Sequence, residues 1–403
     1  MNRCWKPRTW SLVLVCPLML TMASVTAGAP AENPLTPEEL REGWVLLFDG
    51  ATLFGWTPAS KANWRAADGI LSASEGEPGL LLTNSEFTDY VLRVDFRAGP
   101  GANSGVFLRT PPNPGPDDVA TKCYEVNIAP ADNPFPTGSL VRRQRVEPPS
   151  AGGDWRRMEV TADGGRFSVV LDGKRVLDYV DPKPVLRGHI GLQWNGGTIE
   201  FRNVRWKPLG LKSLFNGKDL TGWKVYPEST VRVTPEGSIH LAGGKGQLES
   251  QGQYADFTLQ LEAMVNSPGS NSGVFFRCIP GEMMNGYESQ IHNGYKNGDR
   301  TQPADCGTGG IFRRQNARRI VANDKEWFHK TIHADGDHMA VWVNGYQVSD
   351  WADTRKPAEN PRKGLRLKAG TLILQGHDPT SDFLFRNLRI ATLPPADADA
   401  GSK

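Results

Sequence analysis

Apolar and polar residues alternate with period two along much of this 403-residue chain, as they do in strands buried on one face of a sheet. Tyr90-Val91-Leu92-Arg93-Val94-Asp95-Phe96 and Phe257-Thr258-Leu259-Gln260-Leu261-Glu262 both follow it. Ser168-Val169-Val170-Leu171 passes through Asp172-Gly173 into Lys174-Arg175-Val176, which predicts a hairpin with a tight primed turn. Asn344-Gly345 sets up the same turn further along. After Leu40 no run of ten or more residues keeps helical spacing. The pattern predicts an all-β chain of many short strands.

The pattern also repeats. Leu47-Phe48-Asp49-Gly50 returns as Leu214-Phe215-Asn216-Gly217, and Gly55-Trp56 as Gly222-Trp223. The run from Asn103 to Arg109 returns from Asn271 to Arg277, and Tyr124-Glu125-Val126-Asn127-Ile128 matches Tyr287-Glu288-Ser289-Gln290-Ile291. Arg142-Arg143-Gln144 matches Arg313-Arg314-Gln315, and Phe201-Arg202-Asn203 matches Phe385-Arg386-Asn387. The order never changes, so the chain is a duplication. Its copies are expected over 43–208 and 209–393, each a two-sheet jelly-roll β-sandwich, followed by a C-terminal tail over 394–403. Lys207-Pro208-Leu209-Gly210 joins them. So short a linker predicts copies that touch.

Composition adds three constraints. Gly 44 and Pro 30 supply turns rather than helices. Arg3, Lys6 and Arg8 precede an apolar run from Trp10 to Met22 and small residues to Ala29. Residues 1–29 thus form an expected signal peptide, and the protein is expected to be exported to the periplasm or secreted. The apolar run is short for a membrane span. Removing that leader changes 46 Lys+Arg against 44 Asp+Glu into 43 against 44, with no basic stripe to suggest a nucleic-acid partner. Cys123, Cys278 and Cys306 remain, and the last two share a copy, which makes them the expected disulfide pair.

Alternation also collects candidate chemistry. On the strand from Tyr287, one face carries Glu288, Gln290 and His292. Ile373, Gln375 and His377 share a face, as do Phe275 and Arg277, and the Arg313-Arg314 pair sends one guanidinium to each side. Asn271 opens the strand that ends at Arg277. Carboxylates, carboxamides and guanidiniums suit sugar hydroxyls and oxyanions, although a solvated sheet face would look the same. The first copy keeps Glu125, Asn127, Arg109 and Arg142 at matching positions, but Ala129 and Asn195 replace His292 and His377. Six of the seven histidines lie in the second copy, which makes it the better candidate for acid-base work near neutral pH.

The ordered motifs, from LF(D/N)G and GW through NSGVFxR, GYExQI, GGIFRRQ and LQGHD to FRNxR, resemble the 3-keto-disaccharide hydrolase family, also described as 3-keto-glucoside lyase and 3-keto-2-hydroxyglucal hydratase. The resemblance covers both copies from Gly43 to Leu393. It implies a concanavalin A-like fold and cleavage of glycosides already oxidised at carbon 3 by a separate sugar 3-dehydrogenase. In that chemistry Glu288 or His377 would be the base, His292 a proton carrier, and Arg277 or Arg313 the enolate donor. Gln290, Gln375, Asn271, Glu125, Asn127, Arg109 and Arg142 would bind substrate. Glu288, His292, Asp305 and His377 are also of the types that ligate a divalent metal, an alternative electrophile. A lectin-like carbohydrate-binding module and a conventional glycoside hydrolase are the competing functions. The latter needs two carboxylates around one bond, and Gln290 stands where the second is expected.

Overall fold

The computed structural model describes, beside Met1, residues 34–115, 117–148, 154–227 and 230–394. Apart from Met1, the expected signal peptide over 1–29 lies outside the described residues. Among the described residues no helix is long and apolar enough to cross a membrane.

Within that range each copy folds as an eight-stranded sheet and a five-stranded sheet, paired antiparallel. Both five-stranded sheets have the same strand order. In the first copy it is Trp56–Pro58, Gly79–Phe87, Gly188–Trp194, Ser104–Thr110 and Tyr124–Ile128. In the second it is Trp223–Val225, Gln247–Tyr254, Gly370–Gln375, Ser272–Cys278 and Tyr287–Ile291. The predicted hairpins form as two-residue turns, with Leu171 opposite Lys174 and Val343 opposite Tyr346. Asp172, Gly173, Asn344 and Gly345 all take positive φ, as a primed turn demands.

The apolar phase of each strand fills the space between the sheets. In the second copy Leu248, Val274, Phe276, Leu372 and Leu374 face Leu259, Leu261, Ile332 and Val341 in one buried cluster. The other phase of the five-stranded sheet is left to point outward, and it carries most of the candidate residues.

The copies do more than touch. Trp342 and Ala340 of the second copy belong to the core cluster of the first, and the Trp342 indole donates to Leu46 O at 2.8 Å. Arg187, 5% exposed at its side chain, pairs with Glu86, with Asp256 at 2.9 Å and with Asp335. The His333 ring lies against Phe87 and Trp206 and contacts Glu86 O at 2.8 Å, and His338 Nδ1 meets Ser85 Oγ at 3.1 Å. Two of the histidines that seemed to favour acid-base chemistry therefore serve the joint. Burial pushes the His333 imidazole down to about 3, which keeps it neutral there.

Candidate active site

Strand register turns the outward phase of the second copy into two rows. Glu249 lies opposite Ile373, Ile373 opposite Phe275, and Phe275 opposite Glu288. In the next row Gln247 lies opposite Gln375, and Gly273 opposite Gln290. The glycine is a spatial requirement. A Cβ at Gly273 would lie 2.8 Å from Glu288 Cγ and Oε1, so its absence lets that side chain lean across the neighbouring strand.

Glu288 is 6% exposed. Among the described residues no donor hydrogen-bonds its carboxyl, and the nearest cation, Arg362, stands 3.7 Å away. Burial raises the carboxyl to about 7, with Arg362, Lys330 and Arg313 pulling it down and Asp305 pushing it up. A carboxyl poised there can accept a proton at neutral pH and return it. Beside it lies a cavity of about 210 Å³ walled by Tyr287, Phe312, Arg313, Arg314 and Arg362.

A second group of polar side chains lies further along the sheet. Gln290 Nε2 donates to Asn271 Oδ1 at 2.8 Å and to Asp305 Oδ2 at 3.0 Å. Gln290 Oε1, Gln375 Oε1, Gln247 Nε2 and His292 Nδ1 are buried with no protein partner. Each such atom costs about 1–3 kcal/mol if left alone, and sugar hydroxyls can both donate to and accept from such atoms. Met284 lies over part of this face, packed on Phe275 and Ile373, with its N–H donating to Gln247 Oε1 at 2.8 Å.

His377 is partly exposed, and its Nδ1 lies 2.9 Å from the Asp378 carboxylate, which fixes the ring and leaves Nε2 facing outward. Hydrogen bonds from Thr380 and His377 hold Asp378 down at about 2. Glu288 and His292 are four residues apart on an extended chain, roughly 13 Å between Cα atoms. Glu288 and His292 therefore stand too far apart along this face to share one reaction centre. The suggested ligand set of Glu288, His292, Asp305 and His377 is likewise not gathered: among the described residues no three His, Cys, Asp or Glu side chains converge as a metal site.

Several expected positions differ. Arg277 does not share the outward face with Phe275, because the strand bulges after Phe275 and Arg277 takes φ +48°. Its guanidinium is fully buried and donates to Ala255 O, Gly336 O, Arg366 O and Asp256. Arg109, at φ +50°, is held in the same way by Thr88 O, Gly164 O, Val185 O and Asp89. Both are structural cations. Arg142 is exposed and paired with Asp117 at 2.9 Å. Cys278 and Cys306 are separate buried thiols. Cys278 lies in the cluster with Phe275 and Ile373, whereas Cys306 sits against Gln315 O at 3.4 Å.

Sequence reasoning missed four contributors. Arg362 comes from a loop with no motif. Gln247 and Glu249 alternate with Leu248 on the strand Gln247–Tyr254, which carries none of the repeated motifs. Lys330 reaches the site from the opposite sheet. It is 1% exposed, and its Nζ donates to Ser289 O at 3.0 Å and Gln290 O at 2.7 Å. Burial pulls this ammonium down to about 7, with Glu288 opposing. Its signal was a lysine in the apolar phase of Phe328, Ile332 and Ala334.

In the first copy the same two rows read Leu82, Gly191, Phe107, Glu125 and Leu80, Gln193, Gly105, Asn127. Leu80, Leu82 and Phe107 are covered by Val119 and Cys123 in one apolar cluster. Burial raises Glu125 to about 7 as well, and no cation contributes. Asn127 is occupied with Phe135 O.

A larger cavity, about 810 Å³, opens between the helix Pro37–Glu42 and the outer sheet of the second copy. Its acidic groups are already matched: Glu262 takes Arg386 and Asn387, and Asp49 takes Arg318. Of these two cavities, the smaller one has the unmatched, titrating carboxyl on its wall, Glu288, and is the better candidate site.

Residues 43–207 and 210–391 each match the model of the 3-keto-alpha-glucoside-1,2-lyase-like domain. The 3-keto-disaccharide hydrolase of Bacteroides thetaiotaomicron is 24% identical over 230 residues, which cover 42% of this chain and 79% of that one. A Parabacteroides distasonis protein provisionally assigned as a glycosyl hydrolase is 21% identical and covers 44% of this chain and 99% of its own, with a TM-score of 0.39. A carbohydrate-binding module from Bacillus subtilis is 20% identical and covers 38% and 95%, with a TM-score of 0.31.

Proposed function

Because this chain belongs to the 3-keto-alpha-glucoside-1,2-lyase-like domain family in both of its copies, we propose that it is an exported enzyme that cleaves 3-keto-glycosides by elimination and rehydration, with the second copy as catalyst. The observation that carries this is Glu288: a buried carboxyl near 7, free of hydrogen bonds, with a guanidinium 3.7 Å away. A ketone at carbon 3 makes the hydrogen on carbon 2 acidic. Glu288 takes that proton, and the electron pair moves onto the carbon 3 oxygen, where Arg362 stabilises the enolate. The ketone then re-forms as the bond from carbon 1 to the aglycone oxygen breaks, leaving a double bond between carbons 1 and 2. Glu288 gives its proton to the departing oxygen. Water adds to carbon 1 and a proton to carbon 2, so the net change is hydrolysis. Gln290, Gln375, His292 and His377 would hold hydroxyls further along this face.

The substrate must be made by an enzyme that oxidises the carbon 3 hydroxyl of a glycoside. Export rests on the basic and apolar leader over 1–29. Incubation of the purified protein with a 3-keto-glucoside and with its unoxidised parent, both in deuterated water, tests the chemistry. The expected result is cleavage of the keto compound alone, with deuterium at carbon 2 of the product. Rapid cleavage of the parent, or an unlabelled product, would point to a conventional glycosidase instead.

A further inference from the structure

The walls of the Glu288 cavity carry more positive charge than the elimination needs. Arg362 supplies the enolate donor. Arg313 and Arg314 line the same 210 Å³ space, and among the described residues neither has a carboxylate within ion-pair distance. Nearby cations are matched: Arg355 takes Asp353 at 2.7 Å and Arg366 takes Glu359 at 3.0 Å.

Arg313 and Arg314 are held in place without being neutralised, and Arg362, whose one carboxylate among the described residues is Glu288 at 3.7 Å, is oriented in the same way. Arg314 donates to Arg313 O at 3.1 Å and Arg362 O at 2.8 Å, and Arg362 donates through Nε and Nη2 to Met284 O at 3.0 and 2.9 Å. Arg313 stacks on Phe312 at 5.2 Å. Carbonyls orient a guanidinium but leave its charge available. The first copy shows the alternative. There Arg142 pairs with Asp117, and Arg143 lies 3.7 Å from Asp181 and donates to Val119 O and Ala120 O. The same arginine pair thus binds the chain's own acids and loop in one copy and faces an open cavity in the other.

Building on the 3-keto-glycoside function, we propose that this cavity seats an anionic group of the substrate, a carboxylate or a phosphate, so that the preferred substrate is an acidic 3-keto-glycoside. Planar guanidiniums on one wall match the oxygens of either anion. The space, about seven waters at roughly 30 Å³ each, exceeds what a lone carboxylate fills, so part of a ring or chain enters with the charge.

The test compares two 3-keto-glycosides that differ only in an aglycone carboxylate against its methyl amide, together with calorimetric titration of the full chain by the unoxidised acid and by inorganic phosphate. The acid should be preferred in kcat/KM by roughly 10- to 100-fold, mostly through KM. In R313A and in the milder R314K the preference should fall toward one, and calorimetric binding of the acid should weaken with it. Equal kcat/KM for the two substrates would overturn the anion site and leave the elimination chemistry standing. Failure to turn over either substrate, with arginine-dependent binding of the acid retained, would overturn the chemistry and keep the site. Phosphate binding tighter than the carboxylate would assign the cavity to phosphorylated glycosides.

Discussion

The two five-stranded sheets share strand order, register and a buried glutamate, yet they surround that glutamate differently. In the second copy the rows beside Glu288 hold Gln247, Glu249, Gln375 and Gln290, with a cationic cavity next to them. In the first, leucines replace the first two, and Val119 and Cys123 pack on top. Glu125 keeps its elevated carboxyl but lacks a counterpart to Arg362. A raised carboxyl alone therefore does not distinguish the two copies. The cation beside Glu288 and the polar rows around it do.

Exchanging one atom in each copy tests that distinction most directly. Glu288→Gln keeps the shape and removes the base, so turnover of a 3-keto-glycoside should fall by about two to four orders of magnitude. Glu125→Gln should leave steady-state rates within about twofold. A dead Glu125 variant would reverse the ranking of the copies.

The same Glu125→Gln variant should show its effect in stability instead. The Glu125 carboxyl sits at about 7 in the fold against 4.5 as its ordinary value. Its contribution to stability is therefore complete below pH 4.5 and lost as pH rises through 7. The variant cannot titrate there, so it should match the parent near pH 4.5 and exceed it at pH 9, by up to about 3 kcal/mol. Urea unfolding at the two pH values measures this. A pH-independent difference would mean that the carboxylate is not confined by burial.

A smaller, kinetic shift should follow from Lys330. The first copy has Met158 at this place, opposite Val94 as Lys330 is opposite Leu261. Lys330→Met removes a positive charge that favours ionised Glu288, so the acid limb of the pH–rate profile should move to higher pH. Activity at pH 6.5 should then drop by roughly three- to tenfold, with less loss at pH 8.5. A uniform loss at all pH values would indicate a packing defect rather than an electrostatic one.

Period-two alternation made the architecture legible because each strand's inward phase is apolar in both copies. The same rule placed Glu288 and Gln290 on the outward face, since Tyr287–Ile291 has no bulge. It failed for Arg109 and Arg277, where a left-handed residue rotates the side chain into the body of the protein. Lys330 was hidden for the opposite reason: it keeps the inward phase, and its partners are carbonyls of a distant strand. Arg362 could not be placed, because a loop between strands carries no periodicity. The excess of histidines in the second copy pointed partly to the wrong cause, since His333 and His338 lie at the joint between copies.

The placement of Trp342 within the hydrophobic core of the first copy has an evolutionary consequence. A duplicate that has lost its chemistry is ordinarily free to decay or be deleted. Here deletion of the first copy would strip the second of the cover over an indole that is 1% exposed and would strand the acids gathered by Arg187. Mechanical dependence therefore retains both copies, so selection stays strict along the seam even where it relaxes at a face that does no chemistry.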